Sequence, residues 1–376
     1  MMTYASTTTD PVLQPYQLGA LTLPNRVVMA PMTRGRATNA DLAPTELDVE
    51  YFAQRASAGL MFTSGTWINE QSIGYPNVPG IYTETQTAGW AGVTEAVHRR
   101  GGRIFSQFGH LGALSHRDLQ DGRQPVGPSA VNMGAKVFVN GAFVDSSDAR
   151  PLTLDEIRNT VRDYGRAARN AKAANFDGVE VHAQANHLLP QFLNDAINTR
   201  TDNYGGSIAN RVRLLLEALE AIREWWGPGQ VGIKLTPGAT GLGALNATES
   251  TVATYNYLFE RVNDLELSHL NIGHVPGFDL TGTALESLND RVFEHVRERF
   301  NGTLIIGGGF GLDSANGAID SGLTDLVAFG KLYIGNPDLV ERFSQRLPLA
   351  DSDPATYYQG GAQGYTDYPP AATSAA

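Results

Sequence analysis

Side chains able to accept, donate or hold a charge recur in this sequence at one kind of place, the closing residues of short apolar runs. Gln107, Gly109 and His110 end the third such run, Glu180 and His182 the fourth, Lys234 the fifth, Gly307 to Gly309 the seventh and Lys331 the eighth. Amides, imidazoles and ammonium groups brought together can bind a polar heterocycle, steady a carbonyl oxygen and move a proton near neutral pH, where imidazole titrates. The stretch Gly307-Gly308-Gly309-Phe310-Gly311 offers bare backbone N–H groups ahead of a helix, and Lys331 adds charge, so a phosphorylated ligand is expected there. A metal centre is not expected. His110, His116, His182 and His187 show neither HxH nor HExxH spacing, and the chain has no cysteine to act as ligand or nucleophile. No G-x-S-x-G follows a strand, which argues against a serine nucleophile.

These groups need a frame that brings the run ends together. Strand-like segments at 27–33, 60–65, 103–110, 178–183, 231–237, 267–273, 303–309 and 326–331 alternate with helix-like segments at 44–58, 84–100, 153–175, 207–226, 248–265, 285–300, 313–321 and 337–347. Eight strand and helix units in strict order predict an α/β fold, a closed (β/α)8 TIM barrel whose strand C-termini converge on one face. A doubly wound sheet is the alternative, since periodicity does not report closure. One domain over 1–376 is expected, with two excursions. Residues 111–151, rich in Gly, Ser and Pro, leave the C-terminal face after the third strand, and Asn140-Gly141 within 137–144 marks a hairpin. Residues 357–370, YYQGGAQGYTDYPP, form either a tail or a strap across the barrel mouth.

Composition narrows the partners. Hydrophobic residues at 42% supply a globular core, and a formal charge of −11 disfavours nucleic acid or an anionic membrane as partner. With no apolar run long enough to cross a bilayer and no N-terminal signal pattern, a cytoplasmic protein acting on a small molecule is expected. The sequence does not speak to oligomeric state.

Five segments resemble the old yellow enzymes, FMN-dependent ene-reductases built on this barrel, and most of all their bacterial branch of pentaerythritol tetranitrate and morphinone reductases. They are LPNRVVMAPMTRGRAT (23–38), EYFAQRASAGL (50–60), DGVEVHAQANHLLPQFLNDAINTRTDNYGGSIANR (177–211), LVAFGKLYIGNPDL (326–339) and GGAQGYTDYP (360–369), and the resemblance extends over 15–369. It implies FMN at the C-terminal mouth, NAD(P)H as reductant, and reduction of the C=C bond of an electron-poor, enone-type alkene. Pro31 and Thr33 then match the pair at the flavin edge, Gly65 a small residue against the ring, and Gln107 the amide on the pyrimidine edge. Gly308, Gly309, Gly330 and Lys331 match the phosphate cradle. Lys234 and Lys331 stand where the family has arginine, which keeps the charge and loses the planar fork.

The substrate side departs further. The family's twin carbonyl donors and its tyrosine acid fall on His182, Ala185 and His187, so His182 alone is expected to hold a carbonyl. His187 is expected either to donate the proton, as an imidazole can near pH 7, or to bond a loop carbonyl. Tyr358, from the C-terminal segment, is the other candidate donor. A pocket tryptophan has become Gly109, which implies space for a bulky substrate unless Phe108 or Tyr75 fills it. Two alternatives stay open: a redox-neutral isomerase, lyase or cyclase using His182 and His187 as acid and base, and a ligand-binding protein without catalysis.

Overall fold

The computed structural model describes residues 10–273, 281 and 291–371. Its parallel strands are β1 Val27–Met29, β2 Leu60–Trp67, β3 Ile104–Gly109, β4 Gly178–Ala183, β5 Val231–Leu235, β6 His269–Gly273, β7 Leu304–Gly307 and β8 Leu326–Phe329. Neighbours in sequence are neighbours in space, and β8 pairs back onto β1 through Val327 and Val27, so the barrel is closed and the doubly wound alternative is excluded. Around it lie α1 Glu46–Gln54, α2 Glu84–Arg99, α3 Leu154–Ala173, α4 Ile208–Arg223, α5 Thr251–Asn263, α6 Val292–Arg297, α7 Leu312–Asp320 and α8 Leu339–Ser344.

The third helix shows how local sequence sets these elements. Thr153 caps the first turn by accepting from Glu156 N, and Glu156 reaches back to Thr153 N, a reciprocal pair that fixes the start. Arg150 grips the same carboxylate at 2.9 and 2.6 Å, which holds Glu156 down at about 2. Ile157, Tyr164, Ala168 and Ala171 recur on one face and are buried. The helix stops where Asn175 turns left-handed with φ 61°.

Two departures from the predicted strands have physical causes. The first strand ends at Met29 rather than 33, since Pro31 has no N–H for the ladder. The second runs two residues past 65, because its register shifts between Phe62 and Gly65 and Thr63 Oγ1 takes up Gln107 N at 2.9 Å. The predicted start of the sixth helix, 285–290, lies outside the described residues. Two short helices, Leu188–Leu193 and Lys331–Gly335, were not foreseen; each is too brief for a periodic signal.

The N-terminal end of the barrel is sealed by an antiparallel ribbon, Tyr16–Leu18 with Leu21–Leu23, whose Leu18 and Leu23 pack with Leu60, Phe62, Phe105 and Leu326. At the C-terminal face the predicted hairpin is Lys136–Val139 with Ala142–Asp145, turning through Asn140 and Gly141 at φ 50° and 82°. The C-terminal segment is a strap. Arg34, in the loop after β1, donates to the carbonyls of Tyr357 and Gly364, and Tyr365 stacks on Tyr51 with centroids 4.0 Å apart while bonding Asp48. Among the described residues no helix is long and apolar enough to cross a membrane.

Candidate active site

Strand parity decides what enters the barrel. On β3 the inward positions are Phe105, Gln107 and Gly109, because Phe105 joins the inner cluster whereas Ile104 and Phe108 join the helix-facing one. Register carries this parity sideways, placing Gln107 beside Glu180, His182 beside Lys234, and Lys234 beside Asn271. Glu180 is fully buried and accepts from Gln107 Nε2 at 2.6 Å, His269 Nε2 at 2.9 Å and Asn271 Nδ2 at 2.9 Å. A carboxylate removed from water is tolerable only with such a full complement of donors. Gly232 makes room for the imidazole, since a Cβ there would lie 2.1 Å from Cε1 of His269. Asn271 Oδ1 in turn faces Lys234 Nζ at 3.4 Å. Burial pulls the Lys234 ammonium below the ordinary lysine range, and Glu180 opposes that shift.

Above this layer a cavity of 360 Å³ opens at the ends of β5, β7 and β8, lined by Lys234, Gln184, Lys331 and the run Gly307 to Gly309. Gly309 has φ +82°, and nothing lies within 4 Å of where its Cβ would stand, so the turn presents bare backbone to open space. The N–H groups of Gly308, Gly309 and Phe310 meet no acceptor among the described residues. Lys331 is exposed beside them, makes no ion pair among the described residues, and opens the short helix capped by Gly330. Thr33 is partly open, and its hydroxyl makes no hydrogen bond among the described residues.

Three imidazoles stand at the ends of β3 and β4. His182 Nδ1 has no partner among the described residues and faces Gly65, where a Cβ would approach it to 3.1 Å. The rings of His182 and His187 lie 3.7 Å apart, centroid to centroid. Burial, reinforced by His187 and Lys234, pushes His182 well below the usual histidine range. Burial also brings His187 to about 4, and brings His110 to about 3 with help from His187. All three are therefore neutral at pH 7. Two of the tautomers follow from partners: His187 gives its Nδ1 proton to Gln184 O at 2.9 Å and leaves Nε2 bare, whereas His110 accepts from Gly112 N on Nδ1 and keeps its proton on Nε2. Of the two expectations for His187, the bond to a loop carbonyl is the one its ring makes in this structure.

The other predicted pocket residues are dispersed. Ala185 takes a left-handed conformation at φ 53° and lines a separate cavity of about 20 Å³ with Gly238, Leu245 and Tyr255. Tyr75 does not fill the space at Gly109. It stacks on Phe138 of the hairpin at 6.0 Å and meets Tyr358 of the strap at 5.9 Å, joining the two excursions. Phe108 faces the helices. A Cβ on Gly109 would meet the backbone of Gly65 at 3.5 Å and Cζ3 of Trp67, its register partner on β2, at 3.6 Å. Trp67 is 2% exposed and its indole N–H has no acceptor among the described residues.

Sequence reasoning missed Trp67, His269 and Asn271. Trp67 lies beyond the predicted strand end, so its parity with Gly109 was not visible. His269 and Asn271 occupy alternate positions of a predicted strand, and two polar residues facing one side of an apolar run was the signal available. Among the described residues no group of three or more His, Cys, Asp or Glu side chains is placed to hold a metal ion.

Residues 11–350 match the model of the NADH:flavin oxidoreductase / NADH oxidase family. The structure of morphinone reductase in complex with tetrahydroNAD superposes with a TM-score of 0.86 at 43% identity, over 95% of this chain and 97% of that one. Flavin oxidoreductase hxnT of Emericella nidulans is 37% identical, with 96% of this chain and 97% of that protein covered. 12-Oxophytodienoate reductase 2 of Arabidopsis thaliana is 35% identical, with 96% and 95% covered.

Proposed function

This chain belongs to the NADH:flavin oxidoreductase / NADH oxidase family, the old yellow enzymes, and from that premise we propose how its own residues divide the work. It is an FMN-dependent oxidoreductase that uses NAD(P)H to reduce the C=C bond of an electron-poor alkene. Bound FMN supplies the hydride carrier between NAD(P)H and the β-carbon of that alkene.

The residues present fit that cofactor. Unpaired N–H groups at Gly308, Gly309 and Phe310, an unpaired Lys331 and a glycine whose missing Cβ leaves open space form a cradle for a phosphate. Gln107 offers a free Oε1 and Lys234 an ammonium, the pairing that a pyrimidine edge with alternating N–H and carbonyl groups requires. Pro31 and Thr33 take the flavin edge, with the Thr33 hydroxyl free to donate, while Gly65 keeps the wall flat and Gly330 starts the helix beside the phosphate.

On the substrate side, His182 is neutral, keeps one N–H and meets no protein acceptor, so it gives that hydrogen to the substrate's carbonyl oxygen and draws charge away from the alkene. Ala185 adds no second donor. His187, with its only proton held by Gln184, orients the loop and accepts at Nε2. The proton for the α-carbon comes from water or from Tyr358, half exposed in the strap. The same geometry disfavours the redox-neutral alternative, because its acid and base are two neutral imidazoles 3.7 Å apart and tilted by 36°, one already committed to a carbonyl.

The observation that carries this reading is the cavity at the ends of β5, β7 and β8, where unpaired backbone donors and two lysines surround glycine. Purified protein incubated with FMN and desalted is expected to be yellow, with one FMN per chain. A colourless protein after that treatment contradicts the assignment.

A further inference from the structure

Glu180 has no role in the division of work above, yet it ties the two sides of the pyrimidine site together. Its carboxylate is surrounded by three N–H donors and no acceptor, so the amide group of Gln107 nearest to it must be the NH2. That fixes which way the Gln107 amide points. An unrestrained glutamine can turn over and present either a donor or an acceptor; this one presents Oε1 alone, 3.6 Å from where a Gly65 Cβ would stand. On its other oxygen Glu180 holds Asn271 Nδ2, which turns Asn271 Oδ1 toward Lys234 Nζ. One buried carboxylate thus sets an outward acceptor on β3 and orients a cation on β5.

We propose that Glu180 is a positioning residue for cofactor selection: by fixing the Gln107 amide and, through Asn271, the Lys234 ammonium, it makes the site read an imide edge, an N–H next to a carbonyl. The proposal rests on the FMN assignment. His269 and the gap at Gly232 complete it by giving the carboxylate its third donor in a space no side chain could otherwise share.

Replacing Glu180→Gln keeps the shape but leaves a single acceptor oxygen for three donors, so the Gln107 amide is no longer fixed. The test is exchange of the holoenzyme against an equimolar mixture of FMN and FMN methylated at N3, with the retained ratio measured by chromatography. Wild type is expected to retain FMN in strong preference. Glu180→Gln should lower that preference by about tenfold, the effect of losing about one hydrogen bond. Gln107→Leu should lower it equally, and the double variant should lose nothing more. A merely structural role would reduce total flavin without changing the ratio. Glu180→Asp, which keeps the charge but draws the carboxylate back from Gln107 by one methylene, gives the same reading if the Gln variant does not fold. A wild-type ratio in either folded variant overturns the proposal. A wild-type enzyme that retains neither flavin overturns the cofactor assignment instead.

Discussion

Trp67 and Gly109 face each other across β2 and β3 as register partners, and the indole's Cζ3 stands 3.6 Å from the place a Cβ on Gly109 would occupy. The large side chain that β3 lacks is supplied by the next strand. The wall is therefore present, built from the opposite side, and the enlarged pocket expected from Gly109 alone is partly closed.

Gly109→Trp should accordingly destabilise the protein by about 1–3 kcal/mol, since two indoles would compete for one space. Trp67→Ala alone should cost about 3–5 kcal/mol and open the pocket to bulkier alkenes. The double variant should be less destabilised than the two single effects added together. Urea midpoints of the four proteins, with kcat/KM for a small and a polycyclic enone, provide the check; strict additivity would separate the two positions.

His187→Phe should leave reduction by NAD(P)H unchanged and slow alkene turnover by no more than about threefold, whereas loss of a true general acid costs about 100-fold or more. The reason is the Nδ1 proton held by Gln184 O. Anaerobic stopped-flow of the oxidative step decides this, and Tyr358→Phe in the same assay separates the strap hydroxyl from water as proton source.

Acid should destabilise the fold through its neutral imidazoles. An imidazole in the unfolded chain takes up its proton near about 6.5, whereas folded His187 does so at about 4 and folded His110 at about 3. The unfolded chain then binds more protons, so stability is flat above about pH 6.5 and falls as pH drops below it. His110→Asn, which keeps an acceptor for Gly112 N, should reduce the slope between about pH 6 and pH 4 by about 1.4 kcal/mol per pH unit. Equal slopes in urea titrations of the two proteins would show that His110 is not buried neutral.

Lys331→Ala should weaken FMN retention more than Thr33→Ala. The first removes a charged contact to a phosphate and the second a neutral hydrogen bond, a difference of about twofold in interaction strength. Flavin lost on gel filtration at increasing salt measures it.

The barrel was legible because its strands are short β-branched runs separated by amphipathic helices, and strand ends were placed closely enough to put Gln107, His182 and Lys234 on one face. Local chemistry was less visible. The register shift after Phe62 carries Trp67 into the mouth, and no periodicity announces a bulge. Residue type identified His187 as a possible acid, but only the carbonyl of Gln184 reveals where its proton is held. Glu180 appeared as one strand-end residue among several. Its importance comes from partners on β3 and β6, which lie 73 to 91 residues away in sequence. Residue type makes Tyr75 one of two side chains that could fill the space at Gly109, and the hairpin and strap that claim it are brought together only by the closed fold.

Electrons pass through this site from NAD(P)H to an activated alkene, and His182 is the proposed carbonyl donor. Mixing the holoenzyme anaerobically with NADPH or NADH, and then with a cyclic enone, tests this most directly. The flavin colour should bleach with at least one nicotinamide and return on adding the enone with formation of the saturated ketone, and His182→Ala should slow the return far more than the bleaching. Failure of the enone to restore the colour, or conversion of the enone without any reduced nicotinamide, would contradict the account.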